Sequence, residues 1–117
     1  MASVGEPLDA AAVAWARDVF GVPCRDTWWQ TETGAIMIAN GPRGGDPAVT
    51  KPGALGRPLS GIEAAIVAPR PGGGVSLVTT PGEVGELALR AGWDSMFRGY
   101  LGEEQRYAAR FADGWYL

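Results

Sequence analysis

Between residues 9 and 20 the apolar positions Ala12, Trp15, Ala16, Val19 and Phe20 recur at helical spacing, with Asp9 placed to cap the start and Gly21 to end it. The pattern predicts a helix over 9–20. Residues 22–26 then have the makings of a short strand leading out of that helix, and the unbroken apolar run Ala35-Ile36-Met37-Ile38-Ala39 has strand length. Residues 40–60 hold Gly-Pro, Gly-Gly, Asp-Pro, Lys-Pro-Gly and Arg-Pro, a density of breakers that rules out a helix and predicts a long excursion of turns. Beyond it the runs 62–67, 75–79 and 86–90 are separated by Pro-Gly turns. The last of them alternates Glu86, Ala88 and Arg90 against Leu87 and Leu89, which predicts an antiparallel β unit. Segments 94–100 and 103–111 suit short helical turns, and Asp113-Gly114 marks a tight turn before a strand at 115–117. The expected class is α+β.

Composition narrows the possibilities. At 117 residues the chain is one small domain, short for an enzyme that must hold two substrates. Acidic residues exceed basic ones by 13 to 10 and the basic ones are scattered, so no footprint for nucleic acid is expected. No apolar run approaches the roughly 18 residues of a membrane span, so no membrane partner is expected. A single cysteine, Cys24, excludes an internal disulfide, and the absence of histidine removes both a Cys₂His₂ zinc set and a histidine triad. With no histidine or neighbouring lysine to activate it, Cys24 is expected to be a packing residue in a reduced, cytoplasmic setting. There is no internal repeat, and Pro71-Gly72-Gly73-Gly74 lacks the strand-then-helix context of a phosphate loop.

The densest chemistry lies in Asp26-Thr27-Trp28-Trp29-Gln30-Thr31-Glu32-Thr33-Gly34. Hydroxyls and an amide bond phosphate oxygens, a carboxylate suits a hard cation such as Mg²⁺, and paired indoles shape an apolar pocket. The alternative is an irregular edge strand with buried tryptophans. Gly5-Glu6-Pro7 is equally open, either a ligand-facing turn or the entrance to the first helix.

Taken in order, Gly5-Glu6-Pro7, residues 26–34, Gly56-Arg57-Pro58, Gly85-Glu86-Leu87, residues 93–100 and residues 106–117 resemble successive motifs of the AMP-forming acyl-CoA synthetases of the adenylate-forming superfamily, most closely its acetyl-CoA synthetase branch. The resemblance covers essentially the whole chain. It implies the end of an α/β nucleotide-binding subdomain at residues 1–40, then a β-rich, mainly antiparallel subdomain at 41–117, both partial segments of a larger AMP-binding domain. Family members are longer. They carry an earlier Ser/Thr/Gly-rich phosphate loop, a Thr-Gly-Asp after the Gly-Trp-Tyr-Leu motif and a C-terminal domain with a catalytic lysine, so residues 1–117 are expected to be an excised or truncated piece.

The resemblance also implies roles. In the family a carboxylate attacks the α-phosphate of MgATP, giving acyl-AMP and pyrophosphate, and the CoA thiol then displaces AMP. Gly5, Glu6 and Pro7 would lie along the adenine, and Asp26, Thr27, Trp28, Trp29, Gln30 and Thr31 would line the nucleotide. Thr31 would donate to the α-phosphate and Glu32 would bind Mg²⁺. Trp29 would close the acyl pocket and favour acetate, with propionate next, whereas Trp28 is equally suited to packing in the core. Arg90, Arg98 and Arg106 are candidates for CoA or phosphate, with salt-bridged or solvated surface roles as the alternative. The expected partners are ATP, acetate, CoA and the missing domains of the same enzyme, with self-association through surfaces left exposed. The other reading is a non-catalytic module that binds adenine nucleotide or protein.

Overall fold

A computed structural model describes residues 1–41 and 53–117. The described chain divides into two compact units, Met1–Ser60 and Gly61–Leu117. The first contains helix α1, Ala10–Phe20. Asp9 caps it, its carboxylate accepting from the backbone N–H groups of Ala11 (2.6 Å) and Ala12 (3.0 Å). Gly21 closes it at φ 64°, a left-handed turn that glycine adopts without strain, its N–H donating to Arg17 O. Of the apolar stripe that predicted the helix, only Ala16 is buried; Trp15, Val19 and Phe20 are more than half exposed, with the Trp15 and Phe20 rings edge to face at 5.6 Å.

The strand expected over 22–26 does not form. Pro23 has no N–H to place in a ladder, and pairing shrinks to a single parallel bridge between Ala2 and Arg25, with Arg25 N donating to Met1 O and Ser3 N to Arg25 O. Ala2, α1 and Arg25 therefore form a minimal β-α-β crossover. The strand proper is β1, Thr27–Trp28, which pairs antiparallel with β2, Ile38–Ala39, itself pairing with β3, Arg57–Pro58. The apolar run that predicted a strand over 35–39 pairs only at its end, because the preceding residues are used in a turn. Strand β3 interrupts the stretch expected as continuous turns over 40–60, of which residues 42–52 lie outside the described residues. Because β3 pairs back onto β2, the contact boundary falls after Ser60, beyond the subdomain boundary expected at 40/41.

The second unit is a five-stranded antiparallel sheet made of β4 (Ala64–Pro69), β5 (Val75–Leu77), β6 (Glu86–Arg90), β7 (Phe111–Ala112) and β8 (Trp115–Tyr116), in the order β5-β4-β6-β8-β7. Alternation sorts its side chains. Val67, Ala88 and Trp115 are buried together on one face. Leu89 and Tyr116, cross-strand partners, are buried on the other, where Trp93 and Phe97 pack against Tyr116, each with ring centroids at 5.7 Å. Short helix α2, Glu104–Ala108, adds Tyr107 to the same aromatic cluster. Of the helical turn expected over 94–100, a single hydrogen-bonded turn forms, Met96 N donating to Trp93 O, and beyond it Phe97 is drawn into contact with Tyr100, Tyr107, Phe111 and Tyr116, packing that overrides local preference.

Asp113 and Gly114 form the expected tight turn between β7 and β8, both at positive φ (50° and 80°). The Asp113 carboxylate accepts from Val75 N (2.9 Å) and from Arg70 Nη2 (3.1 Å).

Candidate nucleotide-binding cleft

Each motif residue in the first unit is placed by a specific local bond. Asp26 is buried and its Oδ1 accepts from Thr27 N (2.9 Å), turning the chain into β1. The Thr27 hydroxyl donates to Ser3 O (2.5 Å), tying the segment that leads to Gly5 onto the start of β1; that proton is therefore spent on the protein. β1 ends at Trp28, and Met37 N donates to its carbonyl. Beyond it the chain stays extended through Gln30 and then tightens into a 3₁₀ turn, Thr31–Thr33, which Gly34 closes at φ 68°. Thr33 is fully buried. Its hydroxyl accepts from Gln30 N (2.9 Å) and lies within donating distance of the carbonyls of Gln30 (2.8 Å) and Ala35 (2.9 Å), so it holds the turn.

These bonds bring two distant stretches to one place. Gly5, Glu6 and Pro7 line a cleft together with all six residues from 26 to 31, and Leu55 completes the lining. The cleft holds about 570 Å³, within the roughly 300–1,000 Å³ typical of small-molecule sites. Its walls mix apolar surface from Pro7, Trp28, Trp29 and Leu55 with hydroxyl, amide and backbone groups. Trp29 is 42% exposed, so its indole is not core packing, and Trp28 is only half-buried although β1 ends on it. The two indoles need not face opposite ways, since regular pairing stops between them.

Glu32 is not among the lining residues. It sits half-buried in the 3₁₀ turn directly after Thr31. Among the described residues no group of three or more His, Cys, Asp or Glu side chains converges to hold a metal unaided. A single carboxylate is nevertheless the donor set that suits Mg²⁺ when waters and phosphate oxygens fill its remaining positions.

Of the arginines named as candidates, Arg90 lies 3.9 Å over the Trp115 ring and bonds Asp113 O and Glu63 Oε1. Arg106 pairs with Glu103 at 3.1 Å and lies 4.3 Å over the Tyr100 ring. Both are used within the second unit. Cys24 is a half-buried free thiol. No helix among the described residues is long and apolar enough to cross a membrane.

The sequence alone did not point to Leu55 or Asn40. Leu55 lies amid turn residues without a period to mark it, and Asn40 looks like a loop residue. Gly56 was the available signal: it has φ 101°, and a Cβ there would collide with Ala39 O and Asn40 Oδ1, so only glycine lets this strand approach β2 so closely.

Comparison with known proteins bears on this cleft. Residues 1–101 match the AMP-binding enzyme family. The chain is 40% identical over 116 residues to the acetyl-coenzyme A synthetase of Bacillus subtilis (strain 168), covering 98% of this chain and 19% of that protein. It is 44% identical over 126 residues to the acetyl-coenzyme A synthetase of Mycolicibacterium smegmatis, covering all of this chain and 13% of that protein. The chain thus spans less than a fifth of the length of these curated relatives. Among solved structures, the anthranilate CoA ligase AuaEII in complex with anthranoyl-AMP superposes with a TM-score of 0.76 at 26% identity, over 98% of this chain and 20% of that one.

Proposed function

The chain belongs to the AMP-binding enzyme family, and on that premise we propose that it is a segment of an AMP-forming acetate–CoA ligase, a cytoplasmic enzyme that activates acetate with MgATP to acetyl-AMP and then forms acetyl-CoA. The observation that carries this reading is the cleft itself, in which two motifs separated by a whole helix meet at a volume suited to a nucleotide. The similarity to two acetyl-coenzyme A synthetases supports acetate as the acid, and the anthranoyl-AMP bound in the structural relative supports an acyl-adenylate as the occupant.

Gly5, Glu6 and Pro7 present backbone to the flat adenine, with Asp26, Thr27 and Trp28 beside the nucleoside. The Thr27 hydroxyl serves the fold rather than the ligand, whereas Thr31 is exposed at the start of its turn and is the residue to donate to the α-phosphate. Gln30 offers an amide to the same phosphate region. Trp29 closes the acyl side: its indole fills space that a longer acid needs, and one methylene in such a pocket is worth about 1–3 kcal/mol, roughly 10–200-fold. Glu32 would hold Mg²⁺, which when bound with the phosphates screens their charge against the incoming carboxylate. Together these side chains orient two anions and exclude water from one wall of the site.

The 117 residues do not themselves contain the Ser/Thr/Gly-rich phosphate loop or the lysine-bearing domain, so the segment alone is expected to be inactive; its partners are the remaining domains of the same enzyme together with ATP, acetate and CoA. The test is acetate-dependent exchange of pyrophosphate into ATP. Exchange by the full-length gene product, and none by residues 1–117 alone, is the expected result. A full-length product that binds AMP but supports no exchange with any short acid would sink the ligase reading in favour of a binding module.

A further inference from the structure

We infer that Leu55 is the apolar contact for the nucleobase of the bound adenylate and that Asn40 is the positioning residue that carries it into the cleft, an inference that rests on the adenylate reading above. Among the described residues lining the cleft, Leu55 alone comes from outside the two recognised motifs. Its place is fixed by the polypeptide on both sides. Asn40 N donates to Asp26 O (3.1 Å), and Asn40 Nδ2 donates to Ala54 O (2.6 Å), so one residue joins the start of the tryptophan-rich stretch to the backbone just before Leu55. On the other side Gly56 passes in close contact with Ala39 and Asn40, and β3 begins at Arg57 opposite Ala39.

This anchoring decides which part of a ligand Leu55 meets. Ala39 pairs with Thr27, so Leu55 enters at the Asp26–Thr27 end of β1, and the bond from Thr27 Oγ1 to Ser3 O brings the segment leading to Gly5, Glu6 and Pro7 to that same end. Trp29 and Thr31 lie farther along the chain, past the last paired residue. A leucine side chain has neither donor nor acceptor, so in a nucleoside phosphate its partner is the face of the base or the hydrocarbon of the acyl group. Position at the Gly5–Pro7 end, away from Trp29, selects the base. Leu55 is half-buried, which leaves surface for a ligand to cover.

The experiment compares wild type, Leu55→Ala, Leu55→Met, Asn40→Ala and the Leu55→Ala/Asn40→Ala double variant in the full-length gene product. AMP and inorganic pyrophosphate binding are measured by calorimetry and the KM values for ATP and acetate by pyrophosphate exchange. Leu55→Ala is expected to weaken AMP binding and raise the KM for ATP by about 10-fold, as loss of a partly covered apolar contact implies. Pyrophosphate, which has no base, should bind as before, and the KM for acetate should stay within about 2-fold. Leu55→Met, which keeps the volume, should bind AMP within about 2-fold of wild type. Asn40→Ala should shift the same two quantities, and the double variant should be no worse than Leu55→Ala, because both changes act through one contact. Equal losses for AMP and pyrophosphate, or a raised acetate KM with AMP binding intact, would overturn the inference. AMP binding that falls in Leu55→Ala while wild type supports no exchange would leave this inference standing and the ligase reading refuted; wild-type protein that binds no AMP would refute both.

Discussion

Gly56→Ala tests how the cleft is held. At φ 101° an L-residue carries a strain of about 1–3 kcal/mol. Its Cβ would also overlap the Ala39 carbonyl and the Asn40 side-chain oxygen, and the carbonyl is backbone that cannot rotate aside. Relief requires β3 to draw away from β2. That movement costs the Asn40 Nδ2 to Ala54 O bond and the bond from Leu59 N to Met37 O (2.8 Å), at about 0.5–1.5 kcal/mol each. Altogether the variant is expected to lose about 3–5 kcal/mol of local stability. Gly53→Ala supplies the control, because Gly53 also has positive φ (78°) but a methyl group there would meet nothing within 4 Å; strain alone, about 1 kcal/mol, is expected. Hydrogen exchange at the Leu59 amide reports the difference directly. At about 1.4 kcal/mol per tenfold change, exchange should accelerate by about a hundredfold or more in Gly56→Ala and by about tenfold or less in Gly53→Ala. Equal acceleration in the two variants, or a Leu59 amide as protected in Gly56→Ala as in wild type, would refute the close-approach reasoning.

Three further outcomes are expected. In the full-length enzyme Trp29→Gly should move the preference from acetate toward longer acids, by about 10-fold or more in relative kcat/KM for each added methylene that the vacated space accepts; an unchanged chain-length profile would remove Trp29 from the acyl side. Glu32→Gln should raise the Mg²⁺ concentration needed for half-maximal exchange by about 10-fold or more with little change in AMP binding measured without metal; an unchanged metal requirement contradicts the assignment. Asp113→Ala should destabilise the second unit by about 2–3 kcal/mol in urea titration, most of it from the lost Val75 N–H bond and the left-handed turn, since the ion pair to Arg70 is half-exposed and worth about 0–1 kcal/mol. Asp113→Asn, which keeps an acceptor and tolerates the turn, should lose less than half as much.

Local signals were legible where the physics is local. Asp9 and Gly21 bracket α1 because capping depends on residues a few positions apart, β6 runs over Glu86–Arg90 as its alternation predicts, and Asp113-Gly114 makes the turn its side chains favour. Legibility failed where partners are distant. Whether residues 22–26 become a strand depends on what pairs beside them, and with Pro23 in the run only Arg25 found a partner. β3 has two residues, one of them proline, and exists because Gly56 lets it reach β2. Phe97 sits at the centre of a ring cluster assembled from four other residues, which no local period over 94–100 encodes. In the cleft, the two motifs singled out in the sequence supply nine of the lining residues, whereas Leu55 and Asn40 were hidden by a stretch whose breakers speak only of turns.

The bond from Val75 N to Asp113 has a consequence beyond its strength. Strands β4 and β5 join through Arg70 N to Gly74 O and Val78 N to Ile66 O, so the amide of Val75 points outward from the outermost strand of the sheet. An outward amide on a terminal strand is a template on which a strand of another molecule can add. Here it is occupied by a carboxylate from the same chain, and a Cβ at Gly74 would strike that carboxylate, so the glycine keeps the approach clear. Asp113 thereby occupies one of the outward amides of that edge, and Asp113→Ala is expected to lower the concentration at which the protein begins to self-associate as well as its unfolding free energy.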